Sequence, residues 1–363
     1  MSSASGLDDV VAADTVLSEV DGAAGRLVIR GFCLSQLVGH RRFEQVLELL
    51  LDGLLDASSA PLEQALGAAR AEVFSFIPQP DAGLLQLSAT EGLRALLARL
   101  PDADDRVAAL RLIAAPAVFT AALARLRRGL APVAPDVALG HAADVLRMLR
   151  GTAAAPCEVA ALDKYLVTVA DHGLNASTFA ARVVASTRAG LTSATIAALS
   201  ALKGPLHGGA PGPVLDMLDA IARPENAEAW LEQALRAGER LMGFGHRIYR
   251  VRDPRADALR EALHALGAAR GAASVRLELA EAVETAALAL LRRAKPQRPL
   301  NTNVEFYTAL LLEALDIPRD SFTCVFAMGR VGGWIAHARE QVLHGRLIRP
   351  QSRYVGPVPL QAA

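Results

Sequence analysis

Apolar residues recur three and four apart along most of this 363-residue chain, which commits it to helices packed through one face. From Arg41 to Leu54 the positions are Phe43, Val46, Leu47 and Leu50. The same spacing predicts helices near 90–99, 105–128, 135–150, 158–170, 176–189 and 193–200. Hydrophobic residues make up 52% of the chain but aromatics only 4%. The apolar mass is therefore mostly Ala, Leu and Val, and with Arg as the usual charge the strong helix formers dominate. The exception comes early, where residues 13–32 predict two short strands around the turn Asp21-Gly22. An all-α fold is expected, and the length is enough for about two domains.

Charge excludes one class of function. Lys+Arg and Asp+Glu are equal at 38 each, so the basic footprint of a nucleic-acid binder is missing. Any site for an anion must be local, built by converging a few arginines. Cys33, Cys157 and Cys324 are too few and too scattered for a disulfide framework or a zinc site. The N-terminus MSSASGLDDVVAADT is acidic and lacks an apolar leader, and charges interrupt every Leu/Ala stretch short of ~20 residues. A cytoplasmic protein with no membrane span is expected.

Between 203 and 256 Gly and Pro become dense, and the chemically capable residues collect there and just beyond. In KGPLHGGAPGPVLDML (203–218), His207 is followed by Gly208 and Gly209, which let a ligand approach the backbone; taken alone, such a histidine is more often structural. MGFGHRIYRVRDPRA (242–256) holds His246, Arg247, Arg250, Arg252 and Arg255. Asp253-Pro254 predicts a helix start, with Asp as cap and Pro at the first position, running to a stop at Gly267. Arg255 then lies in a first turn, where the helix dipole disfavours a cation. It calls for a compensating anion, either a carboxylate of the protein or a ligand. A second helix is predicted from Asn303 to before Pro318, with Glu305 in its first turn, and a third from Phe326 to Leu343, carrying Arg330. Arg349 stands just before Pro350. Free N–H groups at these helix starts are suited to holding anions. His337 and His344 are seven apart with no third ligand evident, so no metal site is expected.

In this combination and order the sequence resembles the citrate synthase family, including its close relative 2-methylcitrate synthase. The resemblance starts at GLDDVVAADTVLSEVDGAAGRLVIRG (6–31) and continues through GHAADVLRMLRG (140–151) and ADHGLNASTFAARVVAST (170–187). It takes in the four segments above and ends at the C-terminal YVGP. It implies a two-domain, all-α fold with a large domain of about 1–208 plus 317–363 and a small, mobile domain of about 209–316. It also implies condensation of an acyl-CoA with oxaloacetate, and no permanently bound cofactor: the coenzyme A thioester is a substrate. By position, His207 matches the histidine that hydrogen-bonds the thioester carbonyl, and His246 the one that polarises and protonates the keto group. His172 matches a ligand of a substrate carboxylate, and Arg255, Arg330 and Arg349 match the carboxylate-binding arginines. Arg250 and the backbone of Gly243, Phe244 and Gly245 match the coenzyme A site. Arg349 is expected from a partner subunit, so a homodimer is implied. The low charge of the predicted helices around 145–200 agrees with that. The chain starts at the GLDDVVAADT segment, without the extension of longer bacterial members, so neither hexamers nor NADH control is expected.

The base departs from the pattern. Where the family reads NVDFY, residues 303–307 read NVEFY, so Glu305 replaces the catalytic aspartate and its extra methylene moves the carboxylate by up to about 1.5 Å. Thr302 and Ala309 stand for the usual Pro and Gly, Gly173 stands for a usual Glu, and 85–100 lacks the usual His-Pro-Met. Citrate synthesis from acetyl-CoA is the expected activity. The alternatives are 2-methylcitrate synthesis from propionyl-CoA, and a paralogue with weakened turnover that acts as a ligand-binding or regulatory protein.

Overall fold

The computed structural model describes residues 7, 10–79, 82–208, 211–271, 274–297 and 300–357. Gly209, Gly6, Asp8 and Asp9, which figure in the motifs above, lie outside them. A three-stranded antiparallel sheet comes first: β1 (Ser18–Asp21), β2 (Arg26–Ile29) and β3 (Phe32–Cys33), in that order, with Ser18 opposite Ile29 and Asp21 opposite Arg26. The Asp21 side chain closes the first turn by accepting from the N–H groups of Ala23 and Ala24 at 3.0 and 2.9 Å. The third strand, too short to show periodicity, is an addition to the two predicted.

Helices make up nearly all the rest. In the first half they are α1 (Leu34–Leu37), α2 (Phe43–Leu51), α3 (Leu62–Phe74), α4 (Ala82–Gln86), α5 (Ala89–Leu97), α6 (Arg106–Leu126), α7 (His141–Arg150), α8 (Pro156–Val169), α9 (Ala176–Ser186) and α10 (Leu191–Leu202). In the second half they are α11 (Pro211–Ile221), α12 (Ala227–Arg236), α13 (Pro254–Arg270), α14 (Val275–Ala294), α15 (Val304–Ala314) and α16 (Phe322–His344). The fold is all-α, as expected. Three predicted boundaries are corrected. α7 begins at His141, after Gly140, and not near residue 135. α13 runs past Gly267 to Arg270, and the stop is Gly271, whose left-handed backbone (φ 68°) closes the last turn onto Ala268. α16 begins at Phe322, after a 3₁₀ turn at Arg319–Ser321, not at Phe326.

Apolar length alone does not mark a membrane here. α6 is long and apolar enough to cross a bilayer. It is instead the central core helix, buried from Ala108 to Ala124 except at Arg111 and contacted by α3, α5, α7 and α16. α16 is nearly as deep. Its Gly329 and Gly333 lie so close to Val169, Ala170 and Asp171 that a methyl group at either would collide with them. This approach sets Arg330 and the segment after α8 side by side. α13 packs on both α8 and α15, so it joins the two halves around the site.

Candidate active site

The segment between α8 and α9 presents His172. Its neighbour Asp171 is fully buried, and its Oδ2 accepts from the Ser18 hydroxyl and from the Gly173 N–H (3.2 Å). Gly173 has φ +58°, a left-handed position that suits glycine. The His172 ring puts Nε2 3.1 Å from the Tyr249 hydroxyl and lies edge-on to His246, with centroids 5.7 Å apart. Burial first, then the charges of Arg255 and Arg330, hold His172 well below the usual histidine range, so the ring is neutral.

His246 sits on a loop that pairs with the start of α15. Gly245 N–H donates to Asn301 O at 2.7 Å and Asn303 N–H to Gly243 O at 2.9 Å, with Phe244 opposite Thr302. That pattern turns the N–H and C=O of Phe244 to the other edge of the ribbon. Gly243 (φ 85°) packs on Phe306, where a Cβ would stand 2.7 Å from the ring. His246 Nδ1 accepts from the N–H groups of Ile248 and Tyr249 at 3.0 and 3.1 Å, so its proton is on Nε2. Burial and then Arg255 bring its pKa down to about 4.

Arg255 finds its compensating anion in the helix cap itself. Asp253 takes its Nε at 3.0 Å and Nη2 at 2.8 Å, and also accepts from the backbone N–H groups of Arg255 (3.0 Å) and Val304 (3.2 Å). Burial pulls the Arg255 pKa down, but the Asp253 charge and hydrogen bonds outweigh it. Arg255 Nη2 lies 3.3 Å from His246 Nε2. Both atoms are donors, so this contact is not a hydrogen bond between them but a pair that one acceptor oxygen could satisfy. Arg330 is buried too. Its Nε donates to Val169 O at 2.6 Å and its guanidinium lies over Phe326, while Nη2 has no partner among the described residues. Burial lowers its pKa to about 10, against the pull of Asp171.

His207 follows α10. Its Nε2 is 2.8 Å from the Ser177 hydroxyl and accepts from the Ser177 N–H at 3.4 Å, so its proton is on Nδ1. Ser177 Oγ accepts from Trp334 Nε1 at 3.1 Å, which leaves its one proton to be shared between His207 Nε2 and Asn175 Oδ1, each 2.8 Å away. Burial, then Arg330 and Arg255, bring His207 to about 4. Glu305 lies in the first turn of α15, capped by Asn303. Burial raises its carboxyl to about 7, with Arg255 opposing and Asp253 adding to the rise.

Six of the predicted residues thus share one electrostatic environment: His172, His207, His246, Arg255, Arg330 and Glu305. Arg349 is not brought to it within this chain: it is exposed in the tail after α16. The Arg250 side chain is exposed, and its backbone N–H is tied to Gly22 O at 2.9 Å. Reading the residues missed Tyr249, Ser177, Asp171 and the second role of Asp253. Asp253 was legible as a cap, but nothing local announced that it also holds Arg255 and α15. His337 has both ring nitrogens engaged, with Arg182 Nε at Nδ1 (3.1 Å) and Asp171 at Nε2 (3.3 Å).

Three histidines held neutral, two buried arginines and a carboxyl raised to about 7 therefore lie together. The family model described as citrate synthase, C-terminal domain, matches residues 6–351, and the chain belongs to the citrate synthase family, whose members are condensing transferases. A putative citrate synthase 2 of Mycobacterium tuberculosis is 41% identical, over 98% of this chain and 93% of the relative. The 2-methylcitrate synthase of the same species is 37% identical, over 97% and 90%. Among solved structures, citrate synthase from Thermotoga maritima superposes with TM-score 0.83 at 30% identity, over 99% and 97%. A ternary complex of carboxymethyl coenzyme A and oxaloacetate with citrate synthase from Thermoplasma acidophilum gives TM-score 0.83 at 28% identity, with 99% of this chain covered and 97% of that one.

Proposed function

We propose that this chain joins acetyl-CoA to oxaloacetate and hydrolyses the resulting thioester to citrate and CoA. The observation that carries the reading is a pair of buried guanidiniums: Arg330, with an Nη2 unpartnered among the described residues, and Arg255, whose Nη2 lies 3.3 Å from the Nε2 of His246. That arrangement suits a dianion with a keto oxygen. Arg255, Arg330 and His172 bind the carboxylates. Glu305 takes a proton from the acyl methyl group, and His207 donates from Nδ1 to the thioester oxygen as the enol forms. The enol carbon attacks the keto carbon while His246 gives its Nε2 proton to the oxygen. Water then cleaves the thioester. A base near 7 is well matched to neutral pH.

In the same reading Arg250 and the 243–245 backbone hold coenzyme A, the small domain (209–316) closes on the large one (1–208 and 317–363) to exclude water, and Arg349 completes the site of a partner subunit in a cytoplasmic homodimer. Propionyl-CoA is the second donor to consider, because one relative is a 2-methylcitrate synthase and one methylene is worth only ~1–3 kcal/mol of discrimination. Thiol release with oxaloacetate and equal concentrations of acetyl- and propionyl-CoA tests both. No release with either ends the enzyme reading.

A further inference from the structure

The contacts that hold Glu305 beside the His246 loop converge on a carboxylate outside the pocket, Glu284 of α14. Its Oε1 accepts from Arg252 Nη1 at 2.6 Å and from the Thr302 hydroxyl, and its Oε2 accepts from the Tyr307 hydroxyl at 2.6 Å. All but Arg252 are buried, and Arg252 also reaches the Thr302 oxygen at 3.3 Å and Asp257 at 2.5 Å. A buried carboxylate needs its acceptor positions filled, and three donors fill this one.

Each donor belongs to a different part of the machinery. Arg252 lies in the loop between His246 and Arg255. Thr302 faces Phe244 across the ribbon and precedes the cap Asn303. Tyr307 is two residues beyond Glu305 on the same helix. Thr302 stands where the family resemblance has proline, which has no hydroxyl to give. The Glu305 carboxylate itself takes no hydrogen bond from any described residue, and it has one more rotatable bond than aspartate. Its place therefore depends on the backbone from which it hangs.

We propose that Glu284 is a positioning residue: through Thr302 and Tyr307 it fixes the start of α15, and so the reach of Glu305, against the loop that carries His246. This rests on Glu305 being the base. A displacement of ~1 Å can cost ~100-fold in rate, so the clamp acts on turnover and not on the arginines that hold oxaloacetate.

Thr302→Val removes one hydroxyl at constant shape, and Thr302→Ser keeps it. The Val variant should lose about tenfold or more in kcat with oxaloacetate Kd, read by calorimetry, unchanged within about twofold. The Ser variant should stay within about twofold of wild type in both. Glu284→Gln should follow the Val variant, and combining Thr302→Val with Glu305→Asp should give losses that do not multiply. A Val variant that weakens oxaloacetate binding with kcat kept, a Ser variant as poor as Val, or losses that multiply would overturn the proposal. Wild-type turnover by Glu305→Gln would instead sink the reading of Glu305 as base. Independently of turnover, isotope-edited infrared spectroscopy follows the Glu305 carboxyl, assigned by its loss in Glu305→Gln. Its titration midpoint should move in Thr302→Val and return in Thr302→Ser; a midpoint unmoved in both leaves Glu284 a core contact only.

Discussion

Replacing Asp253 by Asn tests how the site stores its charge. The carboxylate holds Arg255 through two hydrogen bonds, caps α13 and receives the first N–H of α15, with side-chain exposures of only 1% for Asp253 and 4% for Arg255. Removing one partner of such a buried pair costs about 3–5 kcal/mol. Asparagine keeps the cap and one acceptor, so the lower figure applies. At roughly 2–4 °C per kcal/mol for a large chain, the melting temperature should fall by about 6–12 °C. Two further effects run the other way. Arg255 is left uncompensated, so oxaloacetate should stabilise the variant by more degrees than it does the wild type. Asp253 raises the Glu305 carboxyl, so its loss lowers that pKa and moves the acid limb of kcat/KM below about 7. Thermal scans with and without oxaloacetate and a pH–rate profile read all three. A melting temperature within a degree of wild type, with the acid limb unmoved, would refute the role given to Asp253.

Further outcomes follow from single contacts. Glu305→Gln should lower turnover at least ~100-fold, and Glu305→Asp should lower it as well if the site is built around the longer side chain; steady-state kinetics check both. Arg330→Met should weaken oxaloacetate binding by about 1–3 kcal/mol in calorimetry, while the empty protein keeps or gains thermal stability because a buried unpartnered donor is removed. His141 is fully buried with neither ring nitrogen partnered among the described residues, and burial, then Arg70, bring it to about 3. Its folded pKa lies below the unfolded value, so the stability is present above pH ~6.5 and is lost as pH falls towards 3, by up to about 5 kcal/mol from this group. Denaturant midpoints at pH 7.5 and 5 should differ, and His141→Leu should narrow the gap.

The helices were legible where their apolar spacing was regular, as in α2, α8 and α9, and where a cap announced them, as at Asp253-Pro254. α3, α11, α12 and α14 were not marked out, nor were the short α1 and α4. α11 opens with Pro211 and Pro213, which read as punctuation although proline is tolerated in a first turn. Gly267 read as a stop, yet packing on both sides of α13 carries the helix past a single glycine. At the site, the residues with unusual chemistry stood out in short motifs, and the structure brings six of them together. What stayed hidden is the set of ordinary residues that hold them. Asp171, Ser177 and Glu284 act through contacts between residues far apart in sequence, and a spacing pattern carries no trace of such contacts; Thr302 stood out as a departure, but its bond to Glu284 did not.

The same charge logic makes a statement about ligand binding itself. In the empty site Glu305 is raised to about 7 by burial, while Arg255 pulls it down. A bound dianion answers the Arg255 charge and adds negative potential of its own, so Glu305 should titrate higher in the complex. Two charges some 7 Å apart at an effective dielectric near 20 interact by about 2 kcal/mol, so a rise of about one unit is a modest expectation. At pH 7.5 a carboxyl of pKa about 7 is about one-quarter protonated, and at about 8 it is three-quarters protonated. Binding should therefore take up about half a proton per site. His207 and His246 start near 4, so a similar rise leaves both neutral at this pH. Calorimetry of oxaloacetate binding in two buffers of different ionisation enthalpy measures the uptake directly. It should be present in the wild type and absent in Glu305→Gln. Binding heats that do not depend on the buffer in the wild type would show that Glu305 does not feel the substrate, and the base would then have to be sought elsewhere in the site.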